Sequence, residues 1–415
     1  MDAIRVLVYV SIFVGIFTTA YYLLSFVQRK KISNQKITNW PYVSIVVPAY
    51  NEENNLGKTV ESLLDLDYAK NKYEIIIVDD GSKDNTLKVA RSLEKKYKII
   101  RAFHKENGGK GSALNYGIKR AKGEYIVSFD SDSMVIPSAM KSSLPYFSDP
   151  KVMCVTPAMK IYRPRRIFER VQAIEYDLGI FLRKVFSNID AIHVTPGPFS
   201  IYRKGFFEKH GGYDEDNITE DMEIALRIQG LNYKIANSPT SLVYTLAPKK
   251  FVSLIKQRRR WYFGLIRNFI KYRKLFGRKY GEMGVIILPL AVLSVLSTMI
   301  ITLYYIIKVV IDSIRQINFY SYIGFDLINN FQFKMYMISL SLYRIFSEGI
   351  VIFGIFFFIL TLSMLIIINS KVKSIDKPIS TFISYMFFIV LYSIFFTFWW
   401  SISIVYSITH RRIEW

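Results

Sequence analysis

Apolar residues fall into two regimes along this chain. Residues 6–27, 283–307 and 349–368 carry no charged side chain, and a fourth apolar run covers 378–409. Each is long enough to cross a hydrocarbon core, which takes about 20 apolar residues. The fourth exceeds one crossing, so its ends are expected to tilt or to lie among the headgroups. Between Val27 and Met283 no comparable run occurs. There the pattern shortens to the periods of strands and helices. A continuous apolar run over 43–48, stopped by Pro48, predicts a buried strand. A polar start followed by Leu56, Val60, Leu63 and Leu64 predicts a helix over 51–66. Strands follow at 73–78, 98–103 and 125–129, with helices at 86–97 and 111–121. Strands alternating with helices imply an α/β domain with a parallel sheet covered on both faces. Ligands of such sheets sit beyond the carboxyl ends of the strands.

After about residue 139 the alternation fades. Residues 163–184 form a basic, aromatic helical stretch. Residues 248–278 mix Lys, Arg, Trp, Tyr and Phe, as suits amphipathic helices lying in a membrane interface. The chain therefore divides into an N-terminal transmembrane helix (1–30), an α/β domain (40–247), interfacial helices (248–280) and three C-terminal transmembrane helices (281–409).

Charge sets the expected topology. Arg29, Lys30, Lys31 and Lys36 follow the first run, and Lys371, Lys373 and Lys377 lie between the last two. Cytoplasmic loops carry such an excess, so four spans put both termini outside and the α/β block inside. The first run lacks a small-x-small cleavage site and is read as an anchor rather than a signal peptide. The net charge of +22 suits anionic lipid and phosphates. It does not point to nucleic acid, because no reader motif interleaves with the basic residues. The single cysteine, Cys154, excludes an internal disulfide and a thiolate metal site, and reads as a small core residue. Arg344 and Glu348, four apart, read either as an interfacial ion pair or as the polar lining of a pathway.

Several motifs carry chemistry. Asp130-Ser131-Asp132 ends a strand, and in an extended segment its two carboxylates share one side. Hard oxygen donors that close suit Mg²⁺ or Mn²⁺ shared with phosphate oxygens. Asp79-Asp80-Gly81 reads as a helix-capping turn or as an acceptor for a uracil ring or ribose. Asn107-Gly108-Gly109-Lys110-Gly111 opens a helix, where backbone can approach an anion, although P-loop spacing is absent. Thr219-Glu220-Asp221 starts another helix, with Thr219 as a cap, and reads as first-turn acids or as a general base. Gln257-Arg258-Arg259-Arg260-Trp261 offers guanidinium forks for a diphosphate and an indole for a sugar face. The alternative is an interfacial basic helix with a Trp anchor.

In this order the motifs resemble family 2 glycosyltransferases of the GT-A fold, over roughly 43–261. The likeness is to the membrane-integrated processive members, the poly-N-acetylglucosamine, hyaluronan and cellulose synthases. The resemblance implies a Rossmann-like mixed sheet with helices on both faces, joined to transmembrane and interfacial helices. It implies that Pro48, Ala49, Tyr50, Asn51, Glu52 and Asp80 hold the uridine and that Lys110 supports the base or the diphosphate. Asp130 would hold nucleotide and metal, with Asp132 the direct ligand of Mg²⁺ or Mn²⁺. Asp221 would be the base, beside Glu220. Gln257, Arg260 and Trp261 would grip the diphosphate and the acceptor end, and residues 195–200 would support the acceptor sugar. The expected reaction is a metal-dependent, inverting transfer from a UDP-sugar to a growing β-linked polysaccharide of N-acetylglucosamine or glucose, with passage of the product across the membrane. The alternative is transfer of a single sugar to a lipid carrier or glycolipid. The expected place is the plasma membrane, multi-pass, with the catalytic domain cytoplasmic and in contact with lipid. One N-terminal span stands where several relatives have two, and four spans are few for a channel. Both points suggest a homo-oligomer or an accessory subunit.

Overall fold

The structure is a computed structural model that describes residues 3–27, 39–248, 250–322, 349–372, 388, 395–406 and 409. It falls into two units, Met1–Leu24 with Leu288–Ser401, and Ser25–Ile287 with Ile402–Trp415.

The second unit is built on one eight-stranded sheet. Strands β1 (Val43–Ala49), β2 (Tyr73–Asp80), β3 (Ile100–Lys105) and β4 (Tyr125–Ser128) form its parallel half, ordered β3-β2-β1-β4. Alternate residues feed two cores. Ile45, Val47, Ile75 and Ile77 join one with Leu56 and Leu63, whereas Val46, Ile76 and Val78 join the other with Leu114, Ile224 and Ile228. A strand turns successive side chains to opposite faces, so a continuous apolar run means that both faces are covered. The covering helices are α2 (Leu56–Leu64), α3 (Thr86–Lys96) and α4 (Gly109–Ile118). Cys154 is fully buried in the second core, as its apolar surroundings suggest.

One expectation needs correction here. The helix predicted from residue 51 begins at Leu56, because Asn51 adopts φ 56° and Asn51 Oδ1 accepts the Lys83 N–H at 2.9 Å. The Glu52 N–H donates to Thr86 Oγ1 at 2.7 Å, so residues 51–55 form a loop stapled to the loop after β2. The sheet as a whole is mixed, as the resemblance implies, with the parallel order read from the β–α alternation confined to its first half. Beyond β4 the order is β7-β6-β8-β5, from β5 (Met134–Val135), β6 (Val152–Ile161), β7 (Ser200–Arg203) and β8 (Lys234–Thr245). The chain re-enters beside the carboxyl end of β4, where the Phe199 N–H donates to the Ser128 carbonyl at 2.8 Å. From there β7 runs back down, antiparallel to β4 and β6.

Five further helices complete this unit: α5 (Ala139–Ser143), α6 (Ile167–Asn188), α7 (Lys204–His210), α8 (Glu220–Gly230) and α9 (Phe251–Lys271). Helix α9 falls within the second basic, aromatic stretch, and α6 overlaps the first but runs past its expected end to Asn188. The end of α1 (Ala3–Val27) belongs here too. Asn188 Nδ2 donates to the Ser25 carbonyl at 2.9 Å, and the Phe26 and Phe181 rings lie 4.9 Å apart.

The first unit is helical. Ala3–Val27 and Met283–Asn318 are long and apolar enough to cross a membrane. The latter comprises a π-helical turn, Met283–Ile287, and most of α10 (Leu288–Tyr322). The third predicted run lies in α11 (Gly349–Val372), and part of the fourth in the apolar helix Phe395–Tyr406. Arg29, Lys30, Lys31, Lys36, Arg344, Glu348, Lys373 and Lys377 lie outside the described residues.

Candidate active site

The loops at the carboxyl ends of β1, β2 and β4 bring most of the sequence-predicted residues to one edge of the sheet. Pro48 and Ala49 are buried at the end of β1, and Tyr50 beyond them is exposed. Asp80 organises the glycine-rich loop. Its Oδ1 accepts Lys105 Nζ at 2.7 Å and the Gly108 N–H at 3.0 Å, and its Oδ2 accepts the Gly109 N–H at 2.8 Å. Asp80 thus does the capping work that the sequence left open for this pair, satisfying donors at the start of α4. Asp79 is fully buried, with Oδ2 2.7 Å from His104 Nδ1. Gly81 has φ 73°, and a Cβ there would come within 2.8 Å of the Asn107 nitrogen. Only glycine meets both demands.

Lys110, at the start of α4, lies 2.7 Å from Asp130 Oδ1 and 3.3 Å from Glu220 Oε1. Burial works against its charge, but Asp130, Glu220 and Asp221 outweigh burial and hold the ammonium well above the usual lysine range. The loop over 195–200 closes on this cluster. A Cβ on Gly197 would sit 2.5 Å from Lys110 Nζ and 2.7 Å from Asp130 Oδ1, so the main chain itself covers the ion pair. Phe199 in the same loop takes φ 62°, an uncommon conformation for a bulky residue.

Asp130-Ser131-Asp132 is a turn rather than the expected extended segment. The Ser133 N–H donates to the Asp130 carbonyl at 3.2 Å, and Thr59 Oγ1 fixes the Ser131 carbonyl at 2.7 Å. The two carboxylates still feel one another. Burial first, then Asp130 and Glu52, push the Asp132 carboxyl up to about 6. Glu52 is itself raised by burial and by Asp84 and Asp130. Among the described residues no three His, Cys, Asp or Glu gather into a metal-holding group. Two carboxylates with excess negative charge match a cation that takes its remaining ligands from phosphate oxygens and water.

Asp221 sits in the first turn of α8. Burial, then Glu220, push its carboxyl up to about 7, against the downward pull of Lys110 and Arg260. Its backbone is pinned, because the Asp221 carbonyl accepts both the N–H (3.2 Å) and Oγ1 (2.7 Å) of Thr195. The buried Tyr202 hydroxyl in turn donates to Thr195 Oγ1 at 2.9 Å. The predicted side-chain cap by Thr219 is not made. Its hydroxyl instead accepts Asn268 Nδ2 of α9 at 2.9 Å, and a Cβ on Gly264 would meet that hydroxyl at 2.2 Å. Helix α9 therefore packs directly on the start of α8.

Helix α9 carries Gln257, Arg260 and Trp261. Arg260 reaches the field of Asp221, and Gln257 Oε1 is buried with no hydrogen-bond partner among the described residues. Arg258 is buried, makes a bidentate pair with Glu175 of α6 at 2.7 and 2.5 Å, and lies 4.4 Å from the Trp261 ring centroid. The structure therefore unites Lys110, Asp130, Glu220 and Asp221 in one charged cluster, with Glu52 and Asp132 coupled to it through Asp130. It commits Asp80 to its own loop. Sequence reasoning missed Tyr202, Gly264, Asn268 and the Glu175–Arg258 pair. One signal was available for the last, since Leu254, Arg258 and Trp261 share a helical face.

Comparison with known proteins accords with this geometry. Residues 44–211 match the family described as glycosyl transferase family 2. A poly-β-1,6-N-acetyl-D-glucosamine synthase of Staphylococcus epidermidis is 29% identical over 345 residues, which cover 78% of this chain and 83% of that protein. A second synthase of that name from the same species is 31% identical over 304 residues, 71% of this chain and 73% of its own length. The fold is shared with a mannosyltransferase from Pyrobaculum calidifontis solved with GDP-mannose and Mn²⁺, at a TM-score of 0.57, 22% identity, and coverage of 65% of this chain and 75% of that one. The mixed sheet with helices on both faces is the GT-A arrangement. Likeness that extends through so much of the relatives' length joins common sequence to common fold, and the chain belongs to glycosyl transferase family 2.

Proposed function

We propose that this glycosyltransferase adds N-acetylglucosamine from a UDP-linked donor to the growing end of a β-1,6-linked polymer, inverting the anomeric carbon in one displacement. The observation that carries the reading is the half-buried cluster of Lys110, Asp130, Glu220 and Asp221 under the main chain of Gly197. The names of the Staphylococcus relatives support the sugar and the linkage. Pro48, Ala49, Tyr50 and Glu52 form the uridine side of the site, with Asp80 shaping the loop that carries Lys110. Asp130 and Asp132 are the residues that would hold Mg²⁺ or Mn²⁺, which offsets the negative charge of the departing diphosphate. Gln257 and Arg260 steady the diphosphate, and Trp261 offers its face to the acceptor sugar.

Asp221 removes the proton of the acceptor hydroxyl. That oxygen forms its bond to the anomeric carbon as the bond to the diphosphate breaks, and UDP leaves with the electron pair. A carboxyl raised to about 7 is a stronger base than an ordinary one and is matched to neutral pH. The apolar helices support a multi-pass protein of the plasma membrane with its catalytic unit on the cytoplasmic side, passing its product outward with a second copy or an accessory chain.

The test uses the full chain in lipid vesicles with Mn²⁺ or Mg²⁺ and labelled UDP-N-acetylglucosamine or UDP-glucose, followed by product sizing. A long polymer from the first donor alone is expected; a single-sugar lipid would overturn polymer synthesis. Asp221→Asn is expected to lower transfer by roughly 10²–10⁴-fold while UDP still binds. Full turnover by that variant would remove Asp221 from the reaction.

A further inference from the structure

The Gln257–Trp261 segment contains three consecutive arginines, and the structure treats them differently. Arg258 is 1% exposed and is paired with a carboxylate of α6. Its guanidinium pairs fork to fork with the Glu175 carboxylate, Nη1 to Oε1 at 2.7 Å and Nη2 to Oε2 at 2.5 Å. The same guanidinium lies 4.4 Å from the Trp261 ring centroid. A bidentate pair fixes the plane of the guanidinium as well as its position. A cation held against an indole in turn biases the orientation of that ring. Glu175 stands on α6, next to Tyr176, whose hydroxyl feels both Arg258 and Asp132. Through Arg258, helix α6 is thus joined to the helix that carries the indole.

We propose that Glu175 and Arg258 are positioning residues for the acceptor. Their ion pair locks α6 to α9 and sets the angle at which Trp261 meets the acceptor sugar, without touching donor or acceptor. The inference rests on the assignment of Trp261 to the acceptor under the proposed function. It makes a separate claim, that the ring is useful only when the pair behind it is intact. Taking the Glu175 carboxylate away from a guanidinium that is 1% exposed is unfavourable, so the geometry behind the ring relaxes when the pair is broken.

The experiment uses the full-length enzyme in lipid vesicles with UDP-N-acetylglucosamine and short β-1,6-linked N-acetylglucosamine oligosaccharides as acceptor. The variants are Glu175→Gln, Arg258→Lys, the charge exchange Glu175→Arg with Arg258→Glu, and Trp261→Ala as reference. Glu175→Gln and Arg258→Lys are expected to raise the acceptor KM roughly tenfold, with the donor KM within about twofold of the parent. The charge exchange is expected to recover at least part of that loss, an outcome that a purely space-filling role does not give. If Trp261→Ala raises the acceptor KM and Glu175→Gln does not, the positioning role is overturned and the acceptor assignment stands. If Trp261→Ala leaves the acceptor KM unchanged, the acceptor assignment falls and the positioning role falls with it. A parallel rise in both KM values with a lowered melting temperature would make the pair structural only. Arg258→Lys, which keeps the charge, separates that case from simple misfolding.

Discussion

Asp132 and Asp221 carry pKa values raised to about 6 and about 7, each chiefly by burial. For activity the sign is direct. A base must be deprotonated to act, so turnover of saturated enzyme is expected to fall as pH drops through about 7, and a pH–rate profile checks this. For stability the sign is opposite to that of a salt-bridged acid. The folded chain holds these protons more tightly than the unfolded chain, whose aspartates titrate near 4. Between about pH 4 and 7 these two groups therefore contribute a loss of stability to the ligand-free protein as pH rises. Asp132→Asn is expected to raise the melting temperature of ligand-free protein at pH 8, with a gain on the order of 1 kcal/mol. The same substitution is expected to weaken metal-dependent UDP binding. A lower melting temperature at pH 8 would contradict the burial argument, and unchanged binding would contradict the metal role. Individual acids of this kind were legible in the sequence because each motif is local. Their coupling was not legible, because Glu52 and Asp130 come from separate loops of the sheet and Glu220 from the start of α8.

At the scale of elements, the contact between α8 and α9 matters most. Gly264 leaves no room for a side chain beside Thr219, and Asn268 bonds the Thr219 hydroxyl. Gly264→Ala is expected to push the two helices apart at a cost of about 1–3 kcal/mol. Because Glu220 and Asp221 follow Thr219 directly, activity is expected to fall further than the loss of fold accounts for. Thermal melting and single-turnover transfer, measured together, separate the two effects. The parallel half of the sheet was readable from alternating apolar runs, since each β–α step is written within some thirty residues. The antiparallel return of β7 was not readable, because its partners β4 and β6 are fixed by pairing at a distance. For the same reason the helical face that Arg258 shares with Leu254 and Trp261 was readable, but its ion-pair partner was not. Glu175, its partner, lies 83 positions away, and no local period relates them.

For the molecule as a whole, the side of the membrane that holds the sheet can be measured with the chain's own chemistry. The single cysteine is fully buried, so the native protein supplies a quiet background for thiol labelling. Lys95→Cys, on the exposed face of α3, is expected to react with an impermeant maleimide in inside-out vesicles and not in right-side-out ones; the reverse pattern would invert the topology. The order of parts along the chain has another outcome. Lys110 and Asp130 belong to the first half of the catalytic unit, whereas Gly197, Glu220, Asp221 and the helix that braces them come later. During translation α1 and the loops after β1, β2 and β4 are made first, and Asp221, the proposed base, follows only when most of the second unit has been made. On the proposed roles, a chain that stops before α8 lacks the base and is expected to consume no donor.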